Sequence, residues 1–248
     1  MKVEVCVTSA AAARIAEDAG ADRLELCAEL AVGGITPSPG LLQEVREAVR
    51  IPVHVLIRPR SGDFVYSEEE FLQMIRDIEY CNRLGYEGYA IGCLLPDGST
   101  DLKGMARLAA AARGRHLTFH RAFDRVADWE AALPQLEALG IQTILSSGRA
   151  PSALEGLPLL ERLVGVAGCG IMPGGGIRPE NVRFFRGRGF EAIHLSGIPK
   201  PGAESFQGLP LNSPALLREG TPLQADAELL KAVVAQLKDP GEGNRGEE

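Results

Sequence analysis

Two cysteines near the ends of consecutive predicted strands have the type and spacing for metal chemistry. Cys6 and Cys27 each share an alternation phase with the polar residues of their own strand, among them Glu4 and Glu25. Neighbouring strands are about 4.8 Å apart, so the two sulfurs can approach each other. Two soft thiolates suit Cu(I), whereas a structural zinc site would need four ligands. Buried cysteines also commonly serve as small hydrophobic residues, so the spacing leaves both interpretations open.

Acidic and imidazole side chains recur in the same phase of other predicted strands, and these groups can exchange protons with a substrate. Glu25, His54 and His120 are candidate acid–base residues, and Asp124 follows shortly after the fifth strand. His194 belongs to the same polar phase. Burying these groups together is costly unless they pair or bind something. A polar core whose members satisfy one another is the alternative to a functional site.

Arginine, serine and glycine residues at other strand ends are candidates for binding an anion. Arginine offers a planar fork for carboxylate or phosphate, and glycine lets backbone N–H groups approach a ligand. The candidate anion-binding residues are Arg58, Arg60, Ser147, Gly174, Gly175, Gly176 and Ser196. An ion pair of Arg58 with Glu25, Asp63 or Asp124 is the alternative for the arginine, and a tight turn is the alternative for the glycines.

Eight β-rich runs must position these residues, and they alternate with helical stretches. The predicted strands cover residues 3–7, 23–27, 52–57, 88–93, 116–120, 143–147, 169–172 and 192–196. Alternation of strands and helices predicts parallel pairing with right-handed crossovers. The chain has 248 residues, close to the length of about 250 typical of an α/β (β/α)8 TIM barrel. We therefore predict one barrel domain with its site at the C-terminal strand ends; a doubly wound open sheet is the alternative.

Capping signals predict where the helices lie. Ser9 and Asp101 are expected N-caps, and Ser67 opens a capping box. Further helices are predicted over 38–49, from about 128 to 140, over 152–163, and after β-strand seven with Pro179 early in the helix. A final helix over 225–237 completes a domain spanning residues 1–238, and residues 239–248 are predicted to be a disordered tail.

Composition excludes several classes of function. The net charge of -7 argues against binding to nucleic acid, which needs a basic face. No apolar run approaches the roughly 20 residues of a membrane span. Five scattered cysteines do not form a disulfide framework, which favours a cytoplasmic location.

Several long strings resemble the CutC copper-homeostasis family. They include Gly20-Ala21-Asp22-Arg23-Leu24-Glu25-Leu26-Cys27, Pro52-Val53-His54-Val55-Leu56-Ile57-Arg58-Pro59-Arg60, Thr118-Phe119-His120-Arg121-Ala122-Phe123-Asp124 and Met172-Pro173-Gly174-Gly175-Gly176. The resemblance implies a cytoplasmic barrel that handles copper, with Cys6 and Cys27 as the Cu(I) ligands. It also suggests a homo-oligomer, with a dimer as the expected form.

The sequence departs from the family pattern in two places. Thr8-Ser9 stands where the family commonly has Asp-Ser, which removes one carboxylate from the barrel mouth, and the segment after Ser196 does not match. The alternative function is an enzyme that acts on a small anionic or phosphorylated substrate. A protein-interaction scaffold is a third possibility, but it leaves the polar strand residues without a role.

Overall fold

Eight parallel strands form one sheet that closes into a barrel. The computed structural model describes residues 1–199 and 224–238. The strands are β1 (Lys2–Val7), β2 (Arg23–Leu26), β3 (Val53–Leu56), β4 (Gly88–Ile91), β5 (His116–Phe119), β6 (Thr143–Ser146), β7 (Gly170–Pro173) and β8 (Ala192–Leu195). Each strand from β1 to β6 pairs with the next, β8 pairs with β1, and one parallel bridge from Gly174, just after β7, to His194 links β7 to β8. The predicted (β/α)8 fold is confirmed.

Seven α-helices connect or follow these strands within the described residues. They are α1 (Ala10–Asp18), α2 (Pro39–Ala48), α3 (Glu68–Leu84), α4 (Leu102–Ala112), α5 (Trp129–Ala138), α6 (Leu157–Val166) and α7 (Ala227–Lys238). The predicted caps of α1 and α4 are confirmed, because Ser9 and Asp101 side chains accept backbone N–H groups there. Ser67 and Glu70 form the predicted capping box of α3.

Two predicted helices were wrong in extent. The helix expected from residue 152 begins only at Leu157, because Ser152 instead closes a turn by accepting the Glu155 N–H at 3.3 Å. After β7, a short 3-10 turn, Val182–Phe185, stands where a helix was expected. Gly187 follows that turn with φ +70°, a left-handed conformation that ends helical structure.

The apolar residues separate into a large cluster outside the sheet and smaller clusters inside it. Val3, Val5 and Val7 belong to the large cluster, which includes the buried faces of the helices. Cys6 and Cys27 belong to a small, separate cluster with Leu56 and Ala90. Alternate residues of a barrel strand point to opposite sides of the sheet. This separation confirms that the polar phase of the strands faces the lumen.

The last described helix packs against the first part of the chain. Leu230 of α7 lies under Gly197, and the Lys238 ammonium donates to the Gly20 carbonyl and pairs with Asp22 at 2.8 Å. The predicted tail over 239–248 and most of the long segment after Ser196 lie outside the described residues. Among the helices that are described, none combines the length and apolar character needed to cross a membrane.

Candidate functional site

A cavity of about 300 Å³ opens at the C-terminal ends of the strands, and we call it the mouth cavity. Its polar and glycine lining includes Cys6, Glu25, Arg58, His120, Arg121, Gly175, Gly176, Arg178, His194 and Ser196. This is the end of a (β/α)8 barrel at which active sites occur. Among the candidate residues from the sequence, His54, Arg60, Asp124, Ser147, Gly174 and Cys27 do not line it.

The two candidate thiols meet at the edge of this cavity. Parallel pairing of β1 with β2 places Cys6 opposite Glu25, and the Cys27 N–H donates to the Val7 carbonyl at 3.0 Å. The resulting Sγ–Sγ distance is 3.3 Å, with both cysteines unoxidised and buried. The hydrogen bond to Cys27 and burial raise the pKa of the Cys6 thiol well above its ordinary value. The sulfurs are therefore close enough to bind one soft ion together, once their protons are lost.

A histidine bridges two glutamates beside the thiols. The Nδ1 atom of His194 lies 2.8 Å from Oε1 of Glu4, and its Nε2 atom lies 3.8 Å from Oε2 of Glu25. Strand pairing causes this arrangement, because β1 aligns Glu4 with His194 on one side and with Arg23 on the other. Arg23 forms a buried ion pair with Glu4.

Burial and charge compete over protonation in this group. Burial alone would raise the pKa of Glu4, but the His194 hydrogen bond and the Arg23 charge outweigh it and hold that pKa well below its ordinary value. Burial raises the pKa of Glu25, and the nearby Glu4 charge adds to this against the opposing charge of His194. Burial opposes protonation of His194, yet Glu25 and Glu4 together raise its pKa.

Arg58 is a buried cation at the wall of the cavity. Only 6% of its surface is exposed. Its guanidinium donates to the carbonyls of Val32, Gly34 and Gly62, so it holds two loops at the mouth. Within the described part of the chain it has no carboxylate partner, so the ion pairs considered from the sequence do not form. Its Nε atom is buried without a hydrogen-bond partner among the described residues.

Two lumen histidines are buried and neutral. The Nδ1 atom of His120 accepts the Ala122 N–H at 3.2 Å, which leaves the proton on Nε2, and that atom has no partner in the described chain. His54 stacks on His116 with ring centroids 4.7 Å apart. Burial lowers the pKa of each of His54 and His120 to about 3. His120 lines the mouth cavity, whereas His54 lies deeper in the lumen.

Asp124 organises a neighbouring loop rather than facing the cavity. Its carboxylate accepts the Ser146 hydroxyl at 2.6 Å, the Ser147 and Arg149 N–H groups, and the Arg121 guanidinium at 2.8 Å. Arg60 likewise points away, pairing with Asp63 and Glu70 near the start of α3.

The glycine loop after β7 brings backbone to the cavity wall. Gly174 forms a parallel β-bridge with His194. A Cβ atom added to Gly174 would lie 2.5 Å from Leu145 Cδ1. Gly175 and Gly176 have φ of +106° and +74°, which glycine adopts without steric cost. Ser196, just after the end of β8, lines the same cavity.

The candidate residues from the sequence omitted Glu4, Arg23 and His194. All three share the polar phase of their strands, so a signal was present. The predicted barrel implies that β8 pairs with β1, but the sequence does not provide the register that brings residues 190 positions apart into contact.

Comparisons with known proteins all identify the same family. The CutC family model matches residues 1–199. A CutC family protein of Edwardsiella ictaluri is 49% identical over 197 residues, which cover 79% of this chain and 78% of that protein. A human protein described as a copper homeostasis protein cutC homolog is 48% identical, covering 78% and 72%. A solved structure of a Streptococcus agalactiae chain described as copper homeostasis protein CutC superposes with TM-score 0.74 at 33% identity, covering 78% of this chain and 98% of that one.

Proposed function

Because this chain belongs to the CutC family, we propose that it takes part in copper homeostasis by binding Cu(I) between Cys6 and Cys27 at the barrel mouth. The copper ion is then the cargo of the protein. The observation that carries the proposal is the 3.3 Å separation of the two sulfur atoms. Cu(I) selects soft thiolate ligands, and both candidates here are free thiols.

The surroundings of the pair support a guarded site. Cys27 has no exposed surface, and Cys6 lines the mouth cavity. A copper ion can thus reach Cys6 from solvent, whereas larger ligands cannot contact Cys27 because it is buried. Copper binding must displace the Cys6 proton, because the hydrogen bond to Cys27 and burial raise the pKa of that thiol.

Anaerobic Cu(I) titration against a competing chelator tests the proposal. We expect the wild type to bind one equivalent and Cys6→Ala/Cys27→Ala to lose at least 100-fold in affinity, an order-of-magnitude figure for losing both soft ligands. The matched control is Cys169→Ala, which removes a free thiol far from Cys6 along the chain. Weak wild-type binding, or equal affinity in the double variant, would contradict the proposal.

We also propose a cytoplasmic location, which is supported by five cysteines whose number and scatter do not suit a disulfide framework. Association into a homo-oligomer stays a prediction.

A second proposed function is binding, and turnover, of a small anionic substrate in the mouth cavity. It is favoured by Arg58, a buried cation with no carboxylate partner among the described residues, beside Glu25 and His120 in one cavity. A buried charge without a counter-charge is costly, and an anionic ligand would relieve that cost. Gly175 and Gly176 on the opposite wall would offer backbone to the same anion.

Inorganic phosphate is the probe for this second function. A crystal soaked in phosphate is expected to contain an anion near Arg58 and Gly175–Gly176, and Arg58→Met is expected to weaken phosphate binding in calorimetry. Arg60→Met is the control, because Arg60 lies outside the cavity. An empty mouth at high phosphate would contradict this function.

A further inference from the structure

We propose that Cys6, Glu25 and His194 form a binding site for a divalent transition-metal ion, and that this ion is Zn²⁺. This site is distinct from the thiol pair, although both use Cys6. The Sγ atom of Cys6, a carboxylate oxygen of Glu25 and a ring nitrogen of His194 all lie within 4.8 Å of one another. A zinc ion with bonds of about 2.0–2.3 Å needs ligands roughly 3–4 Å apart. Small side-chain rotations therefore suffice to close the site.

The donor set matches zinc in type and in charge. Zinc accepts sulfur, nitrogen and oxygen ligands together, whereas Cu(I) prefers sulfur alone. A thiolate from Cys6 and the Glu25 carboxylate supply two negative charges, and a neutral imidazole from His194 supplies none. The bound ion would then be neutralised by its own ligands, which matters because Cys6 and Glu25 are buried.

The contacts behind His194 are those of a metal ligand that is held in place. Its Nδ1 atom lies 2.8 Å from the Glu4 carboxylate, so Nε2 is directed toward Glu25. Arg23 in turn forms an ion pair with Glu4. A carboxylate that accepts the second ring N–H fixes the tautomer and orientation of a zinc-bound histidine. Glu4 is therefore a positioning residue for this site.

Three protein ligands leave a fourth position open, as in catalytic rather than structural zinc sites. All three ligands line the mouth cavity, so that position faces it. Arg58 lines the same cavity. A small anion with an oxygen atom that can bind the metal fits both the open metal position and Arg58. The zinc site itself does not depend on copper binding.

Two substitutions separate the zinc site from the copper site. Zinc affinity is measured by competition with a chromophoric chelator under reducing, anaerobic conditions. Co²⁺ serves as a spectroscopic probe through its thiolate charge-transfer band. We expect His194→Gln to lose zinc affinity by at least 10-fold and to keep Cu(I) affinity, and Cys27→Ser to do the reverse. Glu4→Gln is expected to weaken zinc binding about 10-fold, the usual effect of removing the carboxylate behind a histidine ligand.

Folding is checked by circular dichroism, and Glu25→Gln serves as the second variant should His194→Gln fail to fold. The control is His116→Gln, a lumen histidine that hydrogen-bonds Thr143 and does not line the cavity. Equal zinc affinity in wild type, His194→Gln and Glu25→Gln would overturn the zinc site. Loss of zinc binding in Cys27→Ser would also overturn it, because zinc would then bind the thiol pair. A wild-type protein that binds zinc but not Cu(I) would contradict only the copper proposal.

Discussion

The Sγ atoms of Cys6 and Cys27 lie 3.3 Å apart although 21 positions separate the residues in the chain. The β1–β2 register causes this, because it places Cys6 opposite Glu25 and so brings Cys27, two residues later, to the same side of the sheet. Gly34 lies against Cys27, since a Cβ atom built on Gly34 would be 3.4 Å from Cys27 Sγ. The loop after β2 thus covers Cys27.

Gly34→Ala is expected to lower both stability and Cu(I) affinity. The new methyl would lie 2.7 Å from Leu56 Cδ2, at a φ of +84°. Gly114→Ala is the matched control, since its φ is +77° and a methyl there meets nothing within 4 Å. Both variants should lose about 1–2 kcal/mol from backbone strain, and Gly34→Ala about 1–3 kcal/mol more from overpacking. Equal unfolding free energies and equal Cu(I) affinities in the two variants would contradict the described packing.

Oxidation with diamide is expected to join Cys6 to Cys27. Each thiol gives up a proton and an electron, the S–S bond forms, and diamide is reduced to its hydrazine. The count of free thiols should fall from five to three, and peptide mapping should find the crosslink between these two residues. Preloaded Cu(I) should protect both thiols. A crosslink that involves Cys81, Cys93 or Cys169 instead would count against the close pair.

Asp124→Ala is expected to destabilise the protein without abolishing copper binding. The substitution leaves the Ser146 hydroxyl and the Ser147 N–H without their acceptor in a partly buried loop, which should cost roughly 3 kcal/mol. Asp97→Ala is the control, because Asp97 caps an exposed turn at Ser99 and its loss should cost below about 1 kcal/mol. Urea denaturation compares them, and similar midpoints would show that Asp124 is not structural.

The folded protein is expected to lose stability in acid through its buried histidines. Burial lowers the pKa of His54 and His120 from 6.5 to about 3. The unfolded chain therefore binds more protons between those values, and the free energy of unfolding falls as the pH drops below about 6.5. Each histidine contributes a slope of about 1.4 kcal/mol per pH unit. The free energy of unfolding, measured by denaturation at pH values from 7 to 4.5, should fall less steeply with decreasing pH in His54→Gln than in the wild type. An unchanged slope would show that His54 is protonated in the folded state.

Much of the fold follows from local signals. β-rich runs placed all eight strands. Five of them also showed alternation, because a barrel strand is apolar toward the helices and free to be polar toward the lumen. The capping signals at Ser9, Ser67 and Asp101 were read correctly, since each acts within one turn. The helix predicted to begin at Ser152 was wrong, because a serine side chain can close a turn as well as cap a helix.

The site was predictable only in part, because its assembly depends on contacts distant in sequence. The thiol pair could be anticipated, since consecutive strands pair in register. His194 and Glu4 could not be joined without knowing the register in which β8 pairs with β1. Asp124 and Arg60 had the residue types of a site, but which way a side chain points after a strand ends is set by the loop that follows.

The most direct test of the central claim is X-ray absorption at the copper edge of the Cu(I)-loaded protein. Two sulfur scatterers are expected around copper in the wild type, with one lost in Cys27→Ser. A first shell of nitrogen and oxygen alone, or a sulfur shell unchanged in that variant, would contradict copper binding at the Cys6–Cys27 pair.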